Sequence, residues 1–185
     1  MSDQPWWTAT PAEREEIAGE IVRHLRDLLQ PGVIEEGAWR EALMEGVSRL
    51  GFVGYAIWVP QQDGKLRSRL FKATVEMEVF EQQTADLTFA AGKGMPGRTF
   101  QRAAPQWIPN VIKDDNFPRL RGAIRDLVRA LVAFPVMYEG RVCAVIEMYS
   151  RSVLEPDPET TQLLAQLGTT LGERYPEMQR LLAGE

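Results

Sequence analysis

One cysteine, one histidine and no long apolar run are what this 185-residue chain has to offer several large classes of protein. Cys143 alone excludes an intramolecular disulfide and any multi-cysteine metal site. The single histidine, His24, lies in a helical pattern near the N-terminus, where a solvated side chain is the ordinary reading. No window of 18 apolar residues occurs, and the first residues lack a basic-then-apolar signal pattern, so a cytoplasmic protein without membrane attachment is expected. A net charge of −5 and a pI near 5.1 argue against nonspecific nucleic-acid binding. Arg119, Arg121, Arg125 and Arg129 cluster, but Asp114, Asp115 and Asp126 offset them, and no basic stripe results. The chain has no GxSxG elbow and no GxxxxGK[ST] loop, so it is not expected to be an enzyme. What it does have is a 44% apolar share with charges mixed throughout, enough to bury the core of one domain.

The chain is organised around Gly92–Val111. Three glycines and a proline crowd Gly92–Gly97, Pro96 suits the first turn of a short helix, and Ala103-Ala104-Pro105 ends it. Gln106-Trp107-Ile108-Pro109 then reads as a short extended segment that its prolines keep off a central ladder. A glycine turn, a short helix and an aromatic strand make a pocket wall rather than a core element.

The flanks supply the frame. Thr10-Pro11-Ala12-Glu13 has the form of a capping box, and Ile17, Ile21, Leu25, Leu28 and Leu29 recur at helical spacing until Pro31-Gly32. A second helix is expected over Glu35–Leu50, with Gly51 at its C-cap. Phe52–Val59 and Lys65–Ala73 read as strands around an Asp63-Gly64 turn. A short helix near Met77–Thr84 follows, and another from Pro118 with Leu120, Ala123, Ile124 and Leu127 on its apolar face. Ala130–Tyr138 and Val142–Ser150 form a hairpin, in which Pro135 predicts an edge position or irregular pairing. A last helix carries Leu163, Leu164, Leu167 and Leu171. Gly168 and Gly172 share one of its faces, allowing close approach to the sheet or to a twin subunit. Pro176 breaks this helix.

Gly92-x-Gly94-Met95-Pro96-Gly97-Arg98, Pro105-x-Trp107-Ile108, Val111 and Asp115-x-Phe117-Pro118-Arg119 together resemble the GAF domains of bacterial sensor kinases and cyclases. Phe134-Pro135-Val136, Gly140, Val145-Ile146-Glu147, Ser150, Glu155-Pro156-Asp157 and Leu167-Gly168 continue the match over roughly 35–173. The resemblance implies an α+β fold: a central antiparallel sheet with N- and C-terminal helices on one face and a loop and short-helix pocket on the other. The expected division is an N-terminal arm and helix over 1–34, a GAF domain over 35–174 and a C-terminal tail over 175–185 after the proline.

The resemblance leaves the ligand open, and no cofactor is identified. Relatives that attach a bilin covalently use a Cys near the helix following Phe-Pro-Arg; Arg119–Leu127 contains none, so covalent bilin is not expected. His-ligated haem is not expected either, since His24 lies outside the match. Relatives that reduce methionine sulfoxide need a second thiol to resolve a sulfenate. The expected ligand-binding residues are Met95, Phe100, Trp107, Phe117, Arg119, Ala123 and Leu127 from the loop side, with Trp58, Phe71, Phe134 and Glu147 from the sheet. The aromatics equally suit a filled core, and Glu147 is either a buried hydrogen-bonded acid or a ligand's anchor. Two functions stay open: a stand-alone sensor that binds a small metabolite or anion and signals in trans to a protein effector, or a ligand-free dimerisation module. Either is expected to be a homodimer through the terminal helices; Trp6-Trp7 are expected either to pack back on the domain or, in the dimerisation module, to join the terminal helices as a partner surface.

Overall fold

The computed structural model describes residues 6–28 and 36–183. After a 3-10 turn at Trp6–Thr8 come α1 (Pro11–Leu28), α2 (Glu36–Arg49), β1 (Gly54–Pro60), β2 (Leu66–Ala73), α3 (Glu78–Asp86), β3 (Thr88–Phe89), α4 (Gly94–Arg102) and β4 (Gln106–Ile108). A 3-10 turn at Val111–Lys113 leads to α5 (Leu120–Arg125), β5 (Ala130–Tyr138), β6 (Arg141–Ser150), α6 (Pro158–Gly172) and α7 (Tyr175–Ala183). The strands form one antiparallel sheet in the order β3-β2-β1-β6-β5-β4. The two-residue strand β3 has no counterpart in the sequence expectations. The stop signal at Leu29–Gly32 and the start of the second helix at Glu35 lie outside the described residues, as does the side chain of Trp7.

Each sheet face has its own core. Tyr55, Ile57, Val132, Phe134, Val136, Ile146 and Met148 meet the apolar sides of α1, α2, α6 and α7. Their neighbours Ala56, Trp58, Leu131, Ala133, Val145 and Tyr149 face the other way, toward Phe80 of α3, Met95 of α4 and Ala123 of α5. The period-two alternation of the strands produces this division.

Register decides which residues share a face. The β5–β6 loop is the two residues Glu139 and Gly140, both at positive φ (49° and 74°), as a primed hairpin turn requires. Tyr138 thus pairs with Arg141 and Met137 with Val142, but Val136 pairs with Ala144, so Cys143 is left over as a bulge. Beyond the bulge every pairing is displaced by one, and Phe134 lies opposite Ile146 on the helical face. Pro135 fits because β4 pairs with β5 only as far as Ala133 and leaves the strand an open edge beyond it.

The helical layer is fastened through its caps. Thr10 and Glu13 form the expected capping box: the Thr10 N–H donates to Glu13 Oε2 at 2.7 Å. Asp157 caps α6 by accepting from the Thr160 N–H at 2.8 Å and from the Thr160 hydroxyl, while Trp6 Nε1 donates to that hydroxyl at 2.6 Å. Trp6 is therefore buried against the domain (3% exposed) rather than presented to a partner. Burial works against the Asp157 charge, but the Thr160 hydrogen bonds outweigh it and hold the carboxyl below its usual range. A depressed folded-state pKa contributes stability that is present above the ordinary carboxylate value near about 4 and is lost as pH falls through the lowered value. Asp157→Ala is expected to cost about 1 kcal/mol at neutral pH. Urea titrations should show the gap between the two chains closing in acid, and a gap independent of pH would remove the cap from the account.

The C-terminal region is helical where a tail was expected. α6 stops at Gly172, and the chain resumes as α7 with Pro176 in its first turn, where a missing N–H costs nothing. Met178 and Leu181 of α7 join the same core as α1, α2 and α6.

Candidate functional site

The crevice side of the sheet is closed by short helices that hold one another in place. Asp126, just past α5, accepts the Phe80 N–H near the start of α3 at 2.7 Å, and Gln83 of α3 accepts the Gly122 N–H of α5 at 2.8 Å. The glycine-rich loop is latched by Asn116, whose Oδ1 accepts the Gly94 N–H at 3.1 Å and whose Nδ2 donates to the Gly92 carbonyl at 3.0 Å. Arg98 of α4 is held by Asp114 at 2.8 Å, outside the polar centre described next.

Arg119, at the N-cap of α5, turns its side chain completely inward (0% exposed). Its guanidinium donates to Glu147 Oε1 at 2.5 Å and to Thr84 Oγ1 at 3.0 Å. Thr84 can accept because its own hydroxyl proton goes to the Phe80 carbonyl at 2.7 Å. The second Glu147 oxygen accepts from Trp58 Nε1 at 3.1 Å and from the Tyr149 hydroxyl at 3.2 Å. Glu147 lies opposite Ala133 and Ala56 on its two neighbouring strands, and these small side chains leave room for the ion pair above the sheet. Aromatic rings wall the guanidinium, with its carbon 4.7 Å from the Phe80 centroid, 5.3 Å from Trp58, 5.5 Å from Phe117 and 5.6 Å from Phe89.

Burial opposes the charge on Arg119, but the adjacent Glu147 carboxylate more than compensates and raises its pKa. Burial and the same carboxylate push the Tyr149 phenol well above its ordinary value, so it remains a neutral donor. One donor is left over: the Arg119 Nε–H is buried without a hydrogen-bond partner. A groove of about 550 Å³ opens nearby, lined by Phe71, Ala73, Val75 and Met77 together with Lys72, Glu76, Glu78 and Glu81. The half-buried Phe71 ring separates it from the polar centre and stacks on Tyr149 at 5.5 Å.

Of the residues expected from sequence, Trp58, Phe71, Met95, Phe100, Phe117, Arg119, Ala123 and Glu147 come together on this face. Three do not. Trp107 pairs with Val132, faces the helical layer and donates to Thr161 of α6 at 3.0 Å. The β6 bulge turns Phe134 to that same layer. Leu127 points outward, 48% exposed, because its positive φ (62°) turns the chain away from the α5 stripe. Thr84, Phe80, Phe89 and Tyr149 were missed as site residues. Tyr149 was within reach, two residues beyond Glu147 on one strand and so on its face. Thr84 stands one helical turn from Phe80, a spacing that also describes an ordinary core stripe.

A sheet with helices on one side, and on the other a polar centre sealed by short helices, defines a two-sided α+β domain. The chain belongs to the GAF domain family, whose profile matches residues 11–173. The matched segment takes in α1, ahead of the start expected near residue 35. Protein NLP1 of Arabidopsis thaliana is 28% identical over 154 residues, and NLP3 of the same plant is 30% identical over 112. These cover 73% and 50% of this chain, which itself spans about 15% of the length of either relative. Among solved structures, the GAF domain of A. aeolicus nlh2, in an inactive state, is 25% identical with a TM-score of 0.68, covering 89% of this chain and 98% of that one. Free methionine-R-sulfoxide reductase from Neisseria meningitidis, in complex with its substrate, shares the fold at 16% identity and a TM-score of 0.66, over 93% of this chain and 94% of that one.

The last likeness corrects the expectation that this chain is not an enzyme. That expectation rested on missing hydrolase and nucleotide motifs and on Cys143 being a lone thiol, yet enzymes are built on this architecture, so the fold does not exclude catalysis. Among the described residues no helix is long and apolar enough to cross a membrane.

Proposed function

We propose that this GAF domain is a sensory module that binds a small metabolite around Arg119 and Glu147 and passes the binding event to a protein effector. The observation that carries the reading is the fully buried ion pair with its unused Nε donor. A buried ion pair adds little stability over well-packed apolar residues, and an orphaned donor adds none, so this polar centre is better explained by use than by folding. The groove beside Phe71 supplies the approach: that ring stacks on Tyr149, whose hydroxyl donates to Glu147. Its three carboxylates outnumber its one cation, Lys72, which is itself paired with Glu41, so a neutral or zwitterionic metabolite is favoured over a bare anion.

A second reading has its own observation. Arg119 and the four rings around it already fill the crevice, as they would in a ligand-free interaction module. Both readings include a homodimer through the terminal helices, where a groove of about 330 Å³ runs between α1 and α6.

Native mass spectrometry of the purified protein tests both points at once. The expected spectrum is a dimer carrying extra mass that is lost on denaturation, with the adduct weakened in Trp58→Phe, which keeps an aromatic but smaller side chain and removes the N–H to Glu147. A bare protein whose melting temperature no metabolite in a broad panel shifts would favour the interaction module. A monomer at micromolar concentration would count against the dimer.

A further inference from the structure

All four exposed large apolar side chains among the described residues lie at one corner of the domain, on the segments around α5. They are Ile112 (57% exposed), Ile124 (50%), Leu127 (48%) and Val153 (52%). Backbone hydrogen bonds join the segments that carry them. The Leu154 N–H donates to the Pro109 carbonyl at 3.2 Å, Val111 to Arg129 at 2.8 Å, and Arg129 to Ser150 at 2.8 Å. Leu127 follows directly on α5, which carries Ile124 and packs against the turn that carries Ile112. The segments that bear the four exposed side chains thus adjoin one another.

That surface is basic. Lys113, Arg121, Arg125 and Arg151 are exposed and Arg129 is half-exposed, and among the described residues none of them has an ion pair. Asp114 is neutralised by Arg98, while Asp126 accepts the Phe80 N–H and keeps its charge. Asp115, Asp126 and Glu155 stand against five cations, a local excess of positive charge on a chain whose net charge is −5.

Leu127 holds a left-handed backbone conformation (φ 62°) in the cap that ends α5, where the Val128 N–H donates to the Ala123 carbonyl at 2.8 Å, and it extends its side chain into solvent. Glycine adopts that conformation freely and leucine does not.

We infer that this corner, the apolar centre Ile112, Ile124, Leu127 and Val153 within its ring of five cations, is a docking surface for an acidic amphipathic segment of a partner protein. Charge disfavours the simplest alternative, because a symmetric contact with a second copy would bring two net-positive surfaces together. The apolar centre separates it from a phosphate-binding surface, where cations alone would serve. The inference is independent of the crevice and its ligand.

Selection of a random 16-residue peptide display library on the full chain tests it, with the selected peptides measured by fluorescence anisotropy. Enrichment of peptides with Asp and Glu between apolar residues spaced three or four apart is expected, with affinity falling as salt rises. Leu127→Gly should weaken their binding at least tenfold while the melting temperature stays level or rises, since the replacement relieves the backbone. Arg125→Glu should weaken it to a similar degree. Selected peptides without acidic bias, or affinities that neither variant changes, would overturn the proposal. So would retention of the chain on 3:1 phosphatidylcholine–phosphatidylserine vesicles or on a 20-base-pair duplex that both variants abolish, which would assign the surface to a membrane or a nucleic acid.

Discussion

Arg119→Met is expected to cost roughly 3–5 kcal/mol, because it leaves the Glu147 carboxylate buried with no countercharge. The double variant Arg119→Met with Glu147→Gln should recover most of that loss. A glutamine carbonyl still accepts from Trp58 and Tyr149, the charge is gone, and a methionine stem fills much of the guanidinium's volume among the rings. Urea unfolding of the four chains of the cycle gives the coupling directly. Losses that add instead of cancelling would mean that the pair is held for reasons other than mutual charge compensation. The same cycle bears on function: if the neutral pair restores stability but not the ligand-dependent mass, the ion pair serves binding rather than folding.

Gly172→Ala is expected to cost about 3 kcal/mol, at the upper end for overpacking. A Cβ there would lie 1.8 Å from the Met137 carbonyl oxygen, and one on Gly168 would lie 2.0 Å from that of Pro135. Both obstacles are backbone atoms of β5, which is anchored to β6 along its length and cannot retreat. The spacing is no coincidence of packing. Four residues of helix rise about 6 Å and two residues of strand about 6.6 Å, so the glycine face of α6 follows every second carbonyl of the strand. Gly19→Ala is the control. Nothing lies within 4 Å of its Cβ position on α1, and the change should be neutral or stabilising by up to about 1 kcal/mol. Equal losses at Gly19 and Gly172 would trace the effect to something other than contact with β5.

These glycines also show what could be read in advance. Their shared face was visible in the sequence, but whether it met the sheet or a twin subunit was not, and the answer is the sheet. The strands flanking the Glu139-Gly140 turn were legible from composition, because β-branched and aromatic runs on either side of a short polar turn have few other solutions. Which side of the sheet each residue faced was harder. Counting back from the turn alone pairs Phe134 with Val145 and puts it on the crevice face with Glu147; the bulge at Cys143 adds one residue and reverses that. The irregularity signalled by Pro135 was real, but its parity was not readable. Arg119 was legible as part of the Phe-Pro-Arg motif. Its partnership with Thr84 joins residues 35 positions apart in the chain, and only the interlock of α3 and α5 brings them together.

Contact between α6 and β5 without an intervening layer of side chains has a mechanical consequence. Most helices rest on a sheet through flexible side chains that absorb small displacements, whereas here helix backbone bears directly on strand carbonyls at two points one turn apart. Glu147 belongs to the strand next to β5. A shift of that strand, by whatever means, therefore reaches the axis of α6 undamped, as through meshed gears without play.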